Sequence, residues 1–342
     1  MADLIENILL HALETHASDL FLTADKVPSY RICGNIVFPP DGMPVPGAEI
    51  DRFRCRVLSP EAETAYQHDG TADASWSFPS GERFRLNFFT SAGGPAMAIR
   101  PILSGNQLNI TELNLPPVLE TLCQEQRGLI LITGSTGSGK STTLGAIINQ
   151  INQTQGKHIL TIEDPIEFLH PNVKSLVSQR EVSSHSGGFG AAMRSAMREN
   201  PDVIVIGEIR DLDTMQAALN ASLTGHLVVS TLHTNSSKAA YTRLSDLGIS
   251  NNMIQESLLG IMAQRLLRCR PTPACPYSGR KAVVEILRPD GTYVDGTLRE
   301  NAQKLVEDGV TDEEEVRRVI GGGMREEVIG YRYQGEWIMD NG

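Results

Sequence analysis

The sequence predicts an α/β fold, in which a larger domain with a parallel sheet follows a smaller α+β domain. In the larger domain, continuous apolar runs alternate with helix-compatible segments, which is typical of a parallel sheet buried on both faces. The first hundred residues instead alternate apolar and polar side chains between turn signals, as antiparallel strands do. A length of 342 residues also favours two domains. The continuous apolar runs lie within residues 128–133, 158–165, 201–211 and 225–234.

A phosphate-binding loop follows the first of these runs. Its residues match G-x-x-x-x-G-K-[ST] and stand between a β-type run and a helix-compatible segment. The glycines let backbone N–H groups turn towards phosphate oxygens, and the helix presents its positive N-terminal end to the same anion. We expect Lys140 to reach the β- and γ-phosphates and Ser141 to hold Mg²⁺, within a RecA-like P-loop core. The expected nucleotide-binding residues are Gly134, Ser135, Thr136, Gly137, Ser138, Gly139, Lys140, Ser141 and Thr142.

Acidic residues follow the next two apolar runs. Glu163 and Asp164 end the second run, and Glu208 follows the third. An acidic residue after a strand is often only a helix cap, but the carboxyl ends of parallel strands share one edge, where ligands bind. Glu208 is therefore the candidate base for ATP hydrolysis. Glu163 or Asp164 is expected to hold the Mg²⁺ shell or the attacking water.

Basic residues near the same edge are candidates for sensing or neutralising phosphate charge. His233 ends the fourth run and is expected to sense the γ-phosphate, while Arg194 and Arg210 are candidate cations. His226 begins that run, and capping of the strand is its alternative role.

Arginines of the first domain form a separate candidate group. Arg83 and Arg85 lie two apart on an expected strand, so they share one face, and Arg100 follows on a later strand. A solvated edge is the ordinary interpretation of such side chains. The alternative is that they reach a γ-phosphate across a domain or subunit boundary.

The domain limits follow from composition. Residues 104–117 are polar and end in two prolines, so we expect them to be a linker between a domain at 1–103 and a domain at 118–342. The formal net charge of −11 argues against attraction of the whole surface to nucleic acid or anionic lipid. No apolar run has the length of a membrane span and the N-terminus is not signal-like, so we expect a cytoplasmic protein without membrane insertion.

The cysteines do not form a metal-binding pattern. Their spacing suits reduced thiols better than a disulfide framework, and no zinc is expected. The five residues are Cys33, Cys55, Cys123, Cys269 and Cys275.

Four motifs together resemble the secretion ATPase superfamily of type II secretion, type IV pili and DNA-uptake pseudopili. GSTGSGKST is similar to its Walker A motif, TIEDPIEF to its Asp box, PDVIVIGEIRD to its Walker B motif and LTGHLVVSTLHT to its His box. HASDLFLT and GERFRLNFF resemble its PAS-like N-terminal domain. AQRLLRCR and the later GRKAVVEIL resemble its C-terminal segments, among which we expect a helical region.

The resemblance implies a hexamer that binds ATP and Mg²⁺ between one subunit's core and arginines of an N-terminal domain. It implies Glu208 as the catalytic glutamate and Glu163 as the main Asp-box acid. It further implies a motor that acts on an inner-membrane platform protein and associates with that membrane peripherally. The expected catalytic residues are Glu208, Glu163, His233, Arg83, Arg85, Arg100 and Arg210, and the expected metal-binding residues are Ser141, Glu163 and Asp164.

Two other functions remain open at this point. A nucleic-acid-translocating RecA-like ATPase would need a basic, aromatic-lined channel, whereas the chain is acidic and contains 5% aromatic residues. A regulatory switch would bind nucleotide without hydrolysing it, and the intact set of Lys140, Glu208 and arginines argues against that alternative. The motifs do not decide between pilus extension, pilus retraction and secretion.

Overall fold

A computed structural model describes residues 3–32, 35–182, 188–270, 279–321, 331–333 and 336–338, with the side chains of residues 103, 188, 331–333 and 336–338 excepted. The chain forms two compact units. The first comprises Met1–Gln107 with Ile166–His170, and the second comprises Leu108–Pro165 with Pro171–Gly342. Residues 166–170 therefore belong to the first unit although the chain on both sides of them belongs to the second.

The helices and strands are numbered along the chain. The α-helices are α1 (Leu4–Glu14), α2 (Gly47–Val57), α3 (Pro60–Asp69), α4 (Val118–Leu122), α5 (Lys140–Thr154), α6 (Gly188–Ala196), α7 (Leu212–Leu223), α8 (Ser237–Asp246), α9 (Asn251–Ser257), α10 (Leu298–Glu307) and α11 (Glu313–Val319). The strands are β1 (Asp19–Thr23), β2 (Ser29–Ile32), β3 (Asn35–Val37), β4 (Thr71–Ser77), β5 (Arg83–Ser91), β6 (Gly94–Ser104), β7 (Gly128–Thr133), β8 (His158–Glu163), β9 (Phe168–Leu169), β10 (Leu176–Glu181), β11 (Val203–Ile206), β12 (Leu227–Leu232), β13 (Leu258–Arg268), β14 (Arg280–Leu287), β15 (Tyr293–Val294), β16 (Tyr331–Tyr333) and β17 (Glu336–Ile338).

The first unit contains an antiparallel sheet in the order β3-β2-β1-β6-β5-β4, and β9 pairs in parallel with β6. Period-two alternation buries one face: Phe84, Leu86 and Phe88 of β5 lie in the core, while Arg83 and Arg85 point to the other face. The predicted antiparallel α+β architecture is confirmed. Its core also takes residues from α1, α2 and α3.

The second unit contains an eight-stranded sheet in the order β10-β8-β11-β12-β7-β13-β14-β15. The strands from β10 to β13 are parallel, whereas β14 and β15 are antiparallel to their neighbours. Every residue of β7, β11 and β12 is buried, since successive side chains enter hydrophobic clusters on opposite faces of the sheet. This is the predicted α/β architecture, and it brings the carboxyl ends of the parallel strands to one edge.

Part of the expected linker is packed on the second unit. Ile110 and Leu115 are buried in the hydrophobic cluster on one face of its sheet. The Asn149 amide of α5 donates to the carbonyl of Leu108 at 2.7 Å. Residues 108–117 therefore form part of the second unit. The apolar side chains among the polar ones of this segment enter the core.

The C-terminal segment contains both strands and helices. β13, β14 and β15 extend the sheet, and α10 and α11 follow them. Cys33, Cys275 and the two glycines after Gly321 lie outside the described residues. Within the described ranges, no helix combines the length and apolarity needed to cross a bilayer.

Candidate functional site

The phosphate loop joins the end of β7 to the start of α5. Gly134, Gly137 and Gly139 have φ angles of +157°, +76° and +90°, a region that favours glycine. A Cβ atom on Gly134 would lie 2.4 Å from Ser138 Oγ, and one on Gly139 would lie 2.7 Å from Gln264 Nε2. The backbone conformation of the loop therefore favours glycine at all three positions, and close packing also requires it at Gly134 and Gly139.

Lys140 begins α5 and is held inside the loop. Its Nζ donates to the carbonyl of Gly134 at 2.9 Å and to that of Ser135 at 3.1 Å, and the residue is only 8% exposed. The cation is thus positioned by neutral acceptors of the same loop. A phosphate oxygen carries full negative charge and is a stronger acceptor for an ammonium group than a carbonyl oxygen.

Gln264 of β13 supports the loop from the neighbouring strand. It is buried, and its Oε1 accepts a hydrogen bond from Thr143 of α5 at 2.7 Å. The sequence motifs assign no role to Gln264. Only the resemblance of AQRLLRCR to a family segment points to this region. The parallel pairing of β13 with β7 brings it to the loop.

Glu208 lies between two basic side chains at the carboxyl edge of the sheet. Its Oε2 accepts a hydrogen bond from His233 Nε2 at 2.9 Å, and its Oε1 forms an ion pair with Arg210. Burial favours the neutral acid, but the hydrogen bonds from Arg210 and His233 outweigh it, so the pKa of Glu208 is lowered. The pKa of Arg210 is raised, chiefly by the hydrogen bond to Glu208. At neutral pH both groups are therefore ionised.

Hydroxyl groups of β12 fix the backbone that carries Glu208. Ser230 Oγ donates to the carbonyl of Ile206 at 2.9 Å, and Thr231 Oγ1 donates to that of Gly207 at 2.6 Å. The N–H of Ile209 donates in return to the carbonyl of Thr231 at 3.0 Å. These hydroxyls hold the start of the Glu208 loop against β12. Sequence reasoning missed them, because a Ser-Thr pair inside an apolar strand carries no specific signal.

A second set of hydroxyl contacts ties the phosphate loop to the segment after β12. Thr133 Oγ1 lies 2.7 Å from Thr234 Oγ1 and accepts the N–H of Thr234 at 2.9 Å. Thr133 precedes the phosphate loop, and Thr234 follows His233. The imidazole is therefore carried by a segment that is anchored beside the loop.

The acidic residues at the end of β8 lie at the same edge. Glu163 Oε1 accepts hydrogen bonds from Thr161 at 2.7 Å and from Gln179 at 3.1 Å. An oxygen of Asp164 lies 3.8 Å from Arg210, which links the two acidic segments. The structure thus joins Asp164, Arg210, Glu208 and His233 in one chain of ionic contacts.

Two other candidates are placed differently. His226 lies at the amino end of β12, opposite to His233, and its Nδ1 is 3.1 Å from the carbonyl of Ala221. This placement supports the capping alternative. Arg194 lies on α6, where its carbonyl accepts from Arg198, and no contact among the described residues joins it to the Glu208 group.

The arginines of the first unit share one face of its sheet. Arg85 of β5 stands directly opposite Arg100 of β6, and Arg83 lies two residues before Arg85. Arg100 donates from Nε and Nη2 to Asp19 at 3.1 and 2.8 Å. Arg83 contacts the Ser75 hydroxyl at 3.3 Å, and Arg85 is exposed.

The donors at the sheet edge suit Mg²⁺ better than a softer metal. Among the described residues, no three His, Cys, Asp or Glu side chains cluster as a metal-binding group. Mg²⁺ in nucleotide sites takes one or two protein oxygens together with phosphates and water, so the hydroxyl of Ser141 and the carboxylates of Glu163 and Asp164 fit that chemistry.

Residues 1–327 of the chain match the family of Type II/IV secretion system proteins, and this range includes every residue of the site described above. The chain belongs to this family. The resemblance drawn from the four motifs is confirmed.

Relatives within the family include pilus and secretion proteins. A twitching motility protein of Neisseria gonorrhoeae is 42% identical over 259 residues, which are 74% of this chain and 67% of the relative. The type IV pilus retraction ATPase PilT of Pseudomonas aeruginosa is 38% identical over 273 residues, or 77% of this chain and 78% of that one. A putative type II secretion system protein E of Escherichia coli is 39% identical over 287 residues, or 80% of this chain and 56% of the relative.

Two solved structures share the fold of this chain. The pilus retraction motor PilT with bound ADP superposes with a TM-score of 0.78 at 35% identity, covering 93% of this chain and 97% of that one. The ATPase DotB of Legionella pneumophila superposes with a TM-score of 0.75 at 26% identity, covering 93% and 95%. The predicted fold class is therefore confirmed.

Proposed function

We propose that this chain is an ATP-hydrolysing motor of a type IV pilus or of a related type II secretion or DNA-uptake machine. The observation that carries the proposal is the position of Glu208, between Arg210 and His233, at the sheet edge that also carries the phosphate loop. The similarity to a twitching motility protein and to pilus retraction ATPases supports the choice of machine.

The phosphate loop is the proposed triphosphate site. Residues 134–142 bind the phosphates through backbone N–H groups and the start of α5, and Lys140 exchanges its loop carbonyls for phosphate oxygens. Ser141, Glu163 and Asp164 are the proposed residues for Mg²⁺, which when bound neutralises charge on the β- and γ-phosphates.

Glu208 is proposed to position the attacking water and to take up its proton. Both of its oxygens are engaged, by Arg210 and by His233, and its lowered pKa makes it a weak base in this arrangement. We infer that a bound γ-phosphate draws Arg210 away from Glu208, since a phosphate competes for the same guanidinium. That exchange frees one carboxylate oxygen and leaves His233 to orient the other.

Assembly into a homohexamer is part of the proposal. Arg83, Arg85 and Arg100 share a face of the first unit and are the proposed cations for the γ-phosphate of a neighbouring active site. The hexamer would act on an inner-membrane platform protein and would be held peripherally at that membrane by it. Nucleic acid is not expected as a partner, because the chain carries a formal charge of −11.

The test is ATP hydrolysis per subunit, measured against protein concentration with Mg²⁺ present. We expect the rate to rise as hexamers form, because the first-unit arginines complete a neighbouring site only in the assembly. A Glu208→Gln variant should keep nucleotide binding and lose turnover. A rate per subunit that is independent of concentration contradicts the role of the arginines, and tight binding without turnover supports the switch alternative.

A further inference from the structure

A short segment, residues 234–237, connects His233 to the start of α8. The imidazole of His233 is half exposed, and within the described residues its ring forms one hydrogen bond, to Glu208. Exposed side chains exchange rotamers rapidly, so a single bond at a half-exposed ring is a weak constraint on its orientation. The position of the ring therefore depends on how firmly residues 234–237 are held.

Two charged residues of the C-terminal strands hold this segment, in addition to the contact with Thr133 described above. The Arg265 guanidinium of β13 donates to the carbonyl of Asn235 at 2.6 Å. The Glu285 carboxylate of β14 accepts from the backbone N–H of Ser237 at 2.9 Å and from its hydroxyl at 2.6 Å. Successive parts of the segment are thus attached to β7, β13 and β14.

Glu285 is buried and uses its two oxygens for two different helices. It is 4% exposed, and the Oε1 atom that bonds to Ser237 lies at the start of α8. Its Oε2 accepts the N–H of Leu298, the first residue of α10, at 2.9 Å. Free N–H groups and the helix dipole make such positions favourable for a carboxylate. One buried acid therefore joins the starts of α8 and α10 to β14.

Neither helix needs Glu285 as its cap. The Ser236 hydroxyl already accepts a backbone N–H at the start of α8, and α10 has a complete capping box of Thr297 and Glu300. A buried carboxylate costs free energy that an apolar residue at the same place would avoid. What Glu285 adds is a fixed position of the α8 start, and hence of the segment that carries His233.

We propose that Glu285 is a positioning residue for His233: by holding Ser237, it fixes the segment that presents the imidazole to Glu208. Glu285 acts through the backbone of residues 234–237 and does not contact the nucleotide. Its effect on the rate of hydrolysis rests on the proposed function, whereas its effect on the placement of the ring does not.

Steady-state ATP hydrolysis by the full chain tests this role in Ser237→Ala. The variant loses one hydrogen bond to Glu285 and keeps the carboxylate and the backbone N–H bond. We expect kcat to fall about fivefold and KM to stay within about twofold, since a neutral hydrogen bond that orients a group is lost. The matched control is Ser222→Ala, which removes a buried hydroxyl bonded to the Leu219 carbonyl in α7 and should change neither constant.

A double-mutant cycle with His233→Gln shows whether Ser237 acts through the imidazole. If it does, Ser237→Ala has no further effect on kcat in the His233→Gln chain. An equal loss in both backgrounds would overturn the proposal, as would a changed KM at constant kcat or an equal loss in Ser222→Ala. Glu285→Gln should lower kcat at least as much as Ser237→Ala, and wild-type kcat in a Glu285→Gln chain with unchanged thermal unfolding would also overturn it.

NMR of the histidine rings separates this proposal from the proposed function. The His233 signal, identified by its loss in His233→Gln, should shift in Ser237→Ala and stay in place in Ser222→Ala, with or without ATP hydrolysis. This shift in a chain without turnover would contradict the proposed function and leave the positioning of His233 by Glu285 standing. An unchanged His233 signal in Ser237→Ala would overturn the positioning role itself.

Discussion

Glu208 and Glu315 are two carboxylates with the same ionic arrangement in different surroundings. Each binds two basic side chains: Arg210 and His233 for Glu208, and Arg268 and Arg318 for Glu315. Glu208 lies on a loop and its side chain is 18% exposed, whereas Glu315 lies on α11 and its side chain is 6% exposed.

This difference in surroundings indicates which of the two carboxylates can exchange an ion-pair partner for a ligand. Glu315 also accepts a backbone N–H, from Arg268, so its position is tied to β13 itself. Among the described residues, Glu208 accepts from two side chains on loops and from no backbone N–H, and its own side chain is more exposed than that of Glu315. A ligand can therefore replace a partner of Glu208 at small cost, while loss of the Glu315 contacts would disturb the fold. We infer that the first cluster serves chemistry and the second serves architecture.

The largest expected effect is on turnover in Glu208→Gln. The amide keeps the size of the side chain but cannot take up a proton, so we expect ATP hydrolysis to fall about 10²- to 10⁴-fold. The free energy of unfolding should change by less than about 1 kcal/mol, because both basic partners of Glu208 are at least half exposed and water screens the ion pairs. The control is Glu256→Gln on α9, an exposed change away from the edge, and steady-state rates with urea unfolding give both quantities.

The next effect is on stability in Glu315→Gln. The neutral amide loses the charge-assisted bonds to Arg268 and Arg318, and we expect a loss of about 1–2 kcal/mol in the free energy of unfolding, since both partners are partly screened by water. Glu313→Gln, an exposed change on the same helix, should cost less than about 0.5 kcal/mol. Equal costs in urea unfolding would remove the distinction between the two clusters.

A smaller change in rate is expected for His233→Gln. One hydrogen bond to Glu208 is altered while Arg210 remains, so we expect about a tenfold lower kcat. His226→Gln, at the opposite end of the same strand, should leave the rate unchanged. If both variants behave alike, the imidazole of His233 does not orient Glu208.

The smallest expected effect is a pH dependence of the free energy of unfolding. The hydrogen bonds from Arg318 and Arg268 lower the pKa of Glu315 from 4.5 to about 2, so its stabilising effect is complete above pH 4.5 and is lost as the pH falls towards 2. The difference in unfolding free energy between the wild type and Glu315→Gln should shrink across this window. A difference that stays constant down to pH 2 would show that charge is not the cause.

The phosphate loop and the parallel sheet are predictable from the sequence because local patterns determine them. The glycines and Lys140 act through the backbone of one short loop, and the continuous apolar strands specify a parallel sheet. Asp164, Arg210, Glu208 and His233 then come into one group because each follows a strand of that sheet.

The ion pair of Arg268 with Glu315 could not be predicted in this way. Arg268 and Glu315 are 47 residues apart, and the register of β13 against β14 decides that Arg268 stands opposite Arg280. The supporting hydroxyls of Ser230 and Thr231 depend likewise on strand order. The inclusion of residues 166–170 in the first unit comes from the pairing of β9 with β6, which a two-residue strand does not signal.

The most direct test of the account is the rate of Mg²⁺-dependent ATP hydrolysis in the wild type and in Glu208→Gln, compared at equal nucleotide occupancy. We predict turnover in the wild type and its near-complete loss in the variant, with nucleotide affinity within about threefold of the wild type. Equal turnover in the two proteins would contradict the central claim, because Glu208 would then have no part in the chemistry.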